Sequence, residues 1–365
     1  MGTDTLRLTR KIQLLIDLPT KEERKEAMDK LYLWRNRCYQ AANLIVSHLY
    51  VQEMIEEFFY LSEGIKYKLV DEKKDENGML NRSRINCTYR MVSDRFKGKM
   101  PTNILTNLNS IILSSFKKNR KEYWSGERSI NNFRRNMAFP FDMEGVCGLK
   151  YNEEKKAFCF QFFSIPVRTY RGKDFNDKWE LMHQLVNGEI RMRTSHIQLK
   201  EGKIFLLAVF EYEKEKHVLK PEVIAEARLS LEHPIAVKID KAKLTIGTRE
   251  EFLYRRLAIQ AAMKRTTEGV KYCKSGKGRK RKTKALTSFR EKERNYVHHR
   301  LHVYSRKLID FCIKHQAGTL VLLDQEKRIE IAKEEEFVLR NWSYYDLMTK
   351  IKYKAEKAGI ELIVD

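Results

Sequence analysis

Two acids, Asp324 and Glu326, close the apolar run in "GTLVLLDQEK" (Gly318 to Lys327). The run reads as a buried strand that ends by presenting a carboxylate. Carboxylates at a strand end can hold divalent ions, which activate water and stabilise a leaving oxygen in phosphodiester hydrolysis. Another acid, Asp240, stands in "VKIDKAKLTIG", and an alternative register pairs it with Asp324 as a reduced site. Lys238 and Lys241 flank Asp240 and disfavour a bound cation there.

A second kind of chemistry is carried by cations. Lys274, Lys277, Arg279, Lys280, Arg281, Lys282 and Lys284 fall within eleven positions, punctuated by Gly276 and Gly278. The segment reads as a flexible basic loop, and Arg290, Arg294 and Arg300 extend its charge along a helix that follows. Each phosphate neutralised releases counterions, so such a cluster binds nucleic acid tightly and without regard to sequence. Tyr89 and Arg90, in "NRSRINCTYRMVSDRFKGK", are suited to groove contact, although an ordinary amphipathic helix accounts for them nearly as well. Trp342, Tyr344 and Tyr345 have rings that could stack on bases, with core packing the better role for Trp342.

Metal ligands are scarce. His298 and His302 have the helical i, i+4 spacing that zinc uses. Their flanks are basic and no acid or cysteine shares the turn, so surface exposure or phosphate contact is expected and no metal site is assigned. The six cysteines are scattered with no CxxC pair, which argues against a zinc ribbon or disulfide framework within this sequence.

The whole chain has the same bias as its basic cluster. It has 72 Lys and Arg against 49 Asp and Glu, a net charge of +23, with 42% apolar residues. A globular body with that excess points to nucleic acid as partner. No signal-peptide core or membrane-length apolar run occurs, and a cytoplasmic location without membrane contact is expected, nucleoid-associated when bound.

The elements that would position these groups can be read in order. "TLRLTRKIQLLIDL" alternates as a strand before Pro19, and Thr20 opens a long helix with Leu31, Trp34, Cys38 and Ala41 on one face. Further helices run to about residue 132. Short β-rich runs then follow, including a hairpin turning at Glu201-Gly202. From Pro221, two or three strands, two helices, the "GTLVLL" strand, another helix and "IELIVD" give an α/β layer with parallel strands.

This order resembles the miniature type V-F CRISPR effectors and, more distantly, their transposon-encoded TnpB relatives. The resemblance is carried by "FPFD" at 139–142, "NGEIRMRTSHIQLKEGKIFLLAVFEY", "SFREKERNYVHHRLHVYSRKLIDFCIKHQAGTLVLLDQEK" and "LRNWSYYDLMTKIKYKAEKAGIELIV". It implies an α+β multidomain chain: a β-barrel wedge domain with an inserted helical recognition lobe, then an RNase-H-like (RuvC) α/β domain. The implied bounds are 1–19 for the first barrel strand, 20–132 for the helical lobe, 133–222 for the rest of the barrel and 223–365 for the RuvC-like domain.

The family's nuclease site needs three acids. Laying the Gly-Ile-Asp-x-Gly motif on "EARLS" puts Arg228 at the Asp, and laying the second motif on "GTLVLLDQE" puts Leu323 at the Glu. The family's zinc ribbon and third acid have no counterpart in these 365 residues. The resemblance therefore implies a degenerate, truncated RuvC domain and no enzymatic activity. It further implies a guide RNA as obligate component, with no other cofactor, and double-stranded DNA as target. Transcription would then be controlled at guide-matched sites by recruiting a sigma factor or RNA polymerase, with a homodimer plausible. The alternatives are a repressor of the dead-TnpB type, an active RNA-guided endonuclease using Asp240 and Asp324, or a generic RNA-binding protein.

Overall fold

The computed structural model describes residues 5–61, 84–172, 177–215, 217–230, 232–273, 276–323 and 343–365. The chain divides into two compact units, Arg7–Tyr212 and a second made of Met1–Leu6 with Glu213–Asp365. The predicted sites at Lys274, Asp324 and Trp342 lie outside the described residues, as does Glu326.

In the unit Arg7–Tyr212, β1 (Thr5–Ile16) leads into α1 (Lys21–Leu61). The helix starts at Thr20 because that residue and Glu23 cap it reciprocally. The Glu23 amide donates to Thr20 Oγ1 at 3.2 Å, and the Thr20 amide donates to Glu23 Oε2 at 3.1 Å. Leu31, Trp34, Cys38 and Ala41 are all buried, as their spacing predicts. They pack with α2 (Arg84–Phe96) and α3 (Thr102–Trp124) into one apolar core.

That core continues onto a sheet of β1, β2 (Phe139–Phe141), β3 (Val146–Asn152), β4 (Ala157–Phe162), β5 (Ile165–Tyr170), β6 (Arg191–Lys200) and β7 (Lys203–Glu213). A helix α4 (Lys178–Val186) is inserted between β5 and β6. Strand order is β2-β6-β7-β1-β5-β4-β3. Its ends, β2 and β3, do not pair among the described residues, so the expected barrel is an open, curled half barrel. Phe139, Phe141, Phe158 and Phe162 are fully buried at the junction of sheet and helices, each stabilising the unit by roughly 1.5–3 kcal/mol. The β6–β7 hairpin turns where predicted. Glu201 and Gly202 both have positive φ, 52° and 72°, as a type I′ turn requires.

The second unit is a five-stranded mixed sheet with three helices among its described residues. β8 (Lys220–Arg228), β9 (Ile235–Ile239) and β10 (Ala242–Ile246) form an antiparallel meander. Helices α5 (Arg249–Lys271) and α6 (Lys277–Lys314) then lead to β11 (Ala317–Leu322), which lies parallel to β8. After α7 (Tyr344–Ala358), β12 (Glu361–Val364) pairs parallel with β11. The order is β10-β9-β8-β11-β12.

Alternation along the central strands explains what this sheet buries. Ala225, Ala227, Leu320 and Leu322 belong to a core with Leu301, Leu308, Cys312, Leu347 and Ile351. Gly318 is required by close backbone approach, since a Cβ there would lie 2.7 Å from the Lys220 carbonyl oxygen. One expectation is corrected. The basic segment read as a loop is helical from Lys277 onward, and α6 runs unbroken for 38 residues. Lys and Arg are good helix formers, and the two glycines fall at its N-cap and in its first turn rather than in its middle.

Candidate nucleic-acid interface

The longest run of cations lies on the amino-terminal part of α6. Lys277, Arg279, Lys280, Arg281, Lys284, Arg290 and Arg294 are exposed there. Lys277, Arg281 and Lys284 recur at i, i+4 and i+7, so they share one side of the helix. Gly276 gives no side-chain cap, and no acid occupies the first turn. Cations at the positive end of a helix dipole are unfavourable, and a bound anion would relieve them.

Two of the predicted cations have work within the unit. Lys282 turns toward α5, donating from Nζ to the Gly269 carbonyl at 2.9 Å and lying 3.3 Å from Cys273 Sγ. Arg300 pairs with Glu251 at 2.7 Å and lies over the Tyr296 ring, and its contacts hold its pKa up despite partial burial. A third tie, which sequence reasoning missed, joins Arg256 to Glu293 at 2.8 Å with both side chains largely buried. Its sequence signal is Glu293, one of two acids in a mostly basic stretch. These ties hold α5 and α6 together as a hairpin.

The strand ends form a second group. The Leu323 amide donates to the Ala227 carbonyl at 2.9 Å, which places Leu323 beside Arg228. Both line a cleft of about 370 Å³ with Glu226, Lys238 and Lys243. Arg228 and Leu323, singled out in the sequence, are thus neighbours at one strand end. Glu226 is the one carboxylate among the described lining residues, beside the three cations Arg228, Lys238 and Lys243. Lys238 and Lys243 face each other directly across β9 and β10, which the hairpin register reveals and composition does not.

Asp240 is not part of this group. It occupies the exposed β9–β10 turn at φ 47°, four residues along β9 from Ala236, the partner of Arg228. That is about 13 Å along the strand from the partner of Arg228.

The remaining predicted residues are dispersed. Tyr89 is half-buried against the helical core and accepts a long hydrogen bond from Thr106 Oγ1 at 3.5 Å, while Arg90 is exposed. Tyr344 is buried and Tyr345 is 62% exposed. His298 and His302 approach Nε2 to Nε2 at 3.3 Å, and burial lowers the His298 pKa. No group of three or more metal-ligating side chains occurs among the described residues. No described helix is long and apolar enough to cross a membrane.

Known proteins provide a frame for this geometry. No protein-family model matches the chain. It is 26% identical over 271 residues to the CRISPR-associated endodeoxyribonuclease Cas12f1 of Sulfoacidibacillus thermotolerans, spanning 68% of this chain and 62% of that protein. The enzyme of the same name from Syntrophomonas palmitatica is 26% identical over 228 residues, 59% of this chain and 44% of its own length. The chain therefore spans less than two thirds of either curated relative. In fold it is similar to a solved Cas12f1-sgRNA-target DNA complex, with a TM-score of 0.68 at 16% identity over 99% of this chain and 89% of that one. Both sequence relatives are named endodeoxyribonucleases, which overturns the expectation of a chain without enzymatic activity. In sequence and in fold, the chain is similar to CRISPR effectors named Cas12f1.

Proposed function

We propose that this protein is an RNA-guided DNA-binding effector: it holds a guide RNA and is directed by it to matching double-stranded DNA. The observation that carries the reading is the row of exposed cations on α6, from Lys277 to Arg294. It lies in a chain related to named Cas12f1 enzymes. In guide-directed recognition the protein grips the duplex through its backbone and leaves sequence to base pairing. An exposed, cationic helix is suited to that task, because it neutralises phosphates without reading bases. The strand-end cleft with Arg228, Lys238 and Lys243 offers a second anion-attracting patch within the same unit.

The test is to sequence RNA that co-purifies with the protein and then measure binding to DNA matched or unmatched to it. A discrete RNA with match-dependent DNA binding is expected. Equal affinity for both DNAs would sink the reading and leave a generic RNA-binding protein. Incubation with Mg²⁺ in the same assay reads cleavage of the matched DNA directly. Transcriptional control, through a recruited sigma factor or RNA polymerase, is tested by placing the matched site at a reporter promoter. A rise in output indicates recruitment, a fall indicates blocking, and no change removes that part of the proposal.

A further inference from the structure

Helices α5 and α6 form a hairpin whose base and shafts are built differently. At the base, Phe252 and Leu253 of α5 are buried, as are Val297, Leu301 and Tyr304 of α6, all within the core of their unit. Beyond the base the helices continue as two shafts, residues 254–269 and 280–296. At 1.5 Å per residue these are about 24 Å and 26 Å long. No residue of either shaft is fully buried. Residues 274 and 275 lie outside the described residues, and both shafts stop short of them.

What joins the shafts is polar. Glu293 accepts from Arg256 Nε at 2.8 Å and from Gln260 Nε2 at 2.7 Å, and Lys282 Nζ donates to the Gly269 carbonyl at 2.9 Å. Bonds of this kind replace bonds to water and contribute little net stability. Helices of this length depend on apolar burial to stay folded, and here little is buried. A segment so built belongs to the low end of a protein's local stabilities.

Charge works against the shafts as well. They contain eleven Lys and Arg against three Glu, a net +8 of the chain's +23. Lys280 and Lys284 stand at i, i+4 on α6, as do Arg290 and Arg294, and all four are exposed. Like charges at that spacing destabilise a helix.

The same features select what completes the arm. A second copy of the chain would bring the same excess of positive charge and add to the repulsion. A nucleic-acid duplex presents one negative charge per ~1.7 Å of its axis, so a length equal to a shaft offers roughly a dozen phosphates. That is enough to neutralise the excess on both shafts.

We infer that the two shafts form an arm that is ordered by the backbone of a nucleic-acid duplex. In the free protein the arm opens locally, and phosphates that neutralise it hold it closed. The inference rests on the proposed function in one respect, that nucleic acid is the partner, and adds a coupling between binding and folding of the arm. RNA, DNA and hybrid duplexes share this chemistry.

Amide hydrogen exchange on the RNA-free, full-length protein tests it, with α6 residues 301–312 as an internal reference. In the free protein the shaft amides should exchange at least about tenfold faster than the reference. Duplexes of about 20 base pairs, of RNA, DNA and an RNA–DNA hybrid, are then added in turn. At least one should slow the shaft amides by about tenfold and leave the reference unchanged. Whichever duplex does so is the one the arm grips.

Lys284→Gln combined with Arg294→Gln breaks both like-charged pairs. It should slow exchange of the free shafts by about two- to fivefold and shrink the further slowing that a duplex produces. A purely structural role for these side chains would move the first quantity the other way. Shaft amides as slow as the reference in the free protein overturn the inference, as does the absence of slowing by every duplex. Slowing that grows with protein concentration without nucleic acid also overturns it, because a second copy then covers the arm. Match-dependent DNA binding without slowing in the shafts sinks only this inference. Slowing in the shafts without match-dependent binding sinks only the guide-directed reading.

Discussion

Leu323 stands beside Arg228 at the shared end of two parallel strands, fixed there by the 2.9 Å hydrogen bond from its amide to the Ala227 carbonyl. An apolar side chain and a cation thus stand side by side at that strand end. Lys238 and Lys243 deepen the positive character of the same cleft. Among the described residues, the charge of that cleft attracts an anion such as a phosphate.

Asp240 has no access to that strand end, because the β8–β9 register leaves it four residues away along β9. Asp240→Ala is therefore expected to leave guide-directed binding, and any cleavage, unchanged. The cost is to stability alone: the turn holds Asp240 at φ 47°, where Ala is less at ease than Asp or Asn, by about 1 kcal/mol. Chemical denaturation beside a binding and cleavage assay checks both parts. A loss of cleavage with stability intact would reinstate Asp240 as a ligand.

The α6 cations divide into two groups with different expected phenotypes. Replacing Lys277, Arg281 and Lys284 together with Ala removes one exposed side of the helix. The slope of log affinity against log salt should fall by about 2 to 3, since each phosphate contact contributes roughly 0.7–0.9. An unchanged slope would show that this side of the helix meets no phosphate. Lys282→Ala should behave otherwise. It loses the hydrogen bond to Gly269 and should cost about 1 kcal/mol of stability, with a salt slope altered far less than in the triple variant.

That contrast marks what the sequence made legible. The identity of α1's buried face, the Thr20 cap and the Glu201-Gly202 turn are local signals, set by spacing within a few residues. Lys282 looked like its neighbours because charge density does not record which side of a helix meets α5. The loop expectation failed for a similar reason: glycines at 276 and 278 read as flexibility, yet they only mark where α6 begins.

Gly318 illustrates a positional demand that the opening "GTLVLL" motif carries without announcing it. Its α-carbon lies so close to Lys220 and Pro221 that an added methyl would meet backbone at 2.7–2.8 Å. Backbone atoms cannot rotate away as a flexible side chain would, so β11 would have to shift against β8. Gly318→Ala should destabilise the second unit by about 1–3 kcal/mol, within the range for overpacking. Thermal melting followed by circular dichroism reads this, and a melting temperature equal to wild type would contradict the close approach.

Lys354 provides the pH-dependent prediction. Its ammonium donates to the His302 carbonyl at 2.6 Å and to Ser305 Oγ at 2.8 Å, but no acid pairs with it in these hydrogen bonds. Burial, with a smaller contribution from the Arg306 charge, lowers its pKa to about 8. Unfolded, the amine titrates near its ordinary value of about 10.4. Between those values the unfolded chain binds more protons than the folded one, so stability contributed by this group rises with pH across that window. Below pH 8 both states are protonated and the cost of burying the charge is carried in full. The comparison is between wild type and Lys354→Met, which keeps the aliphatic length and removes the titration. The melting temperature of wild type relative to the variant should increase from pH 8 to pH 10, whichever is the more stable at pH 7. A constant difference across that range would mean that Lys354 titrates in the folded protein as it does in the unfolded chain.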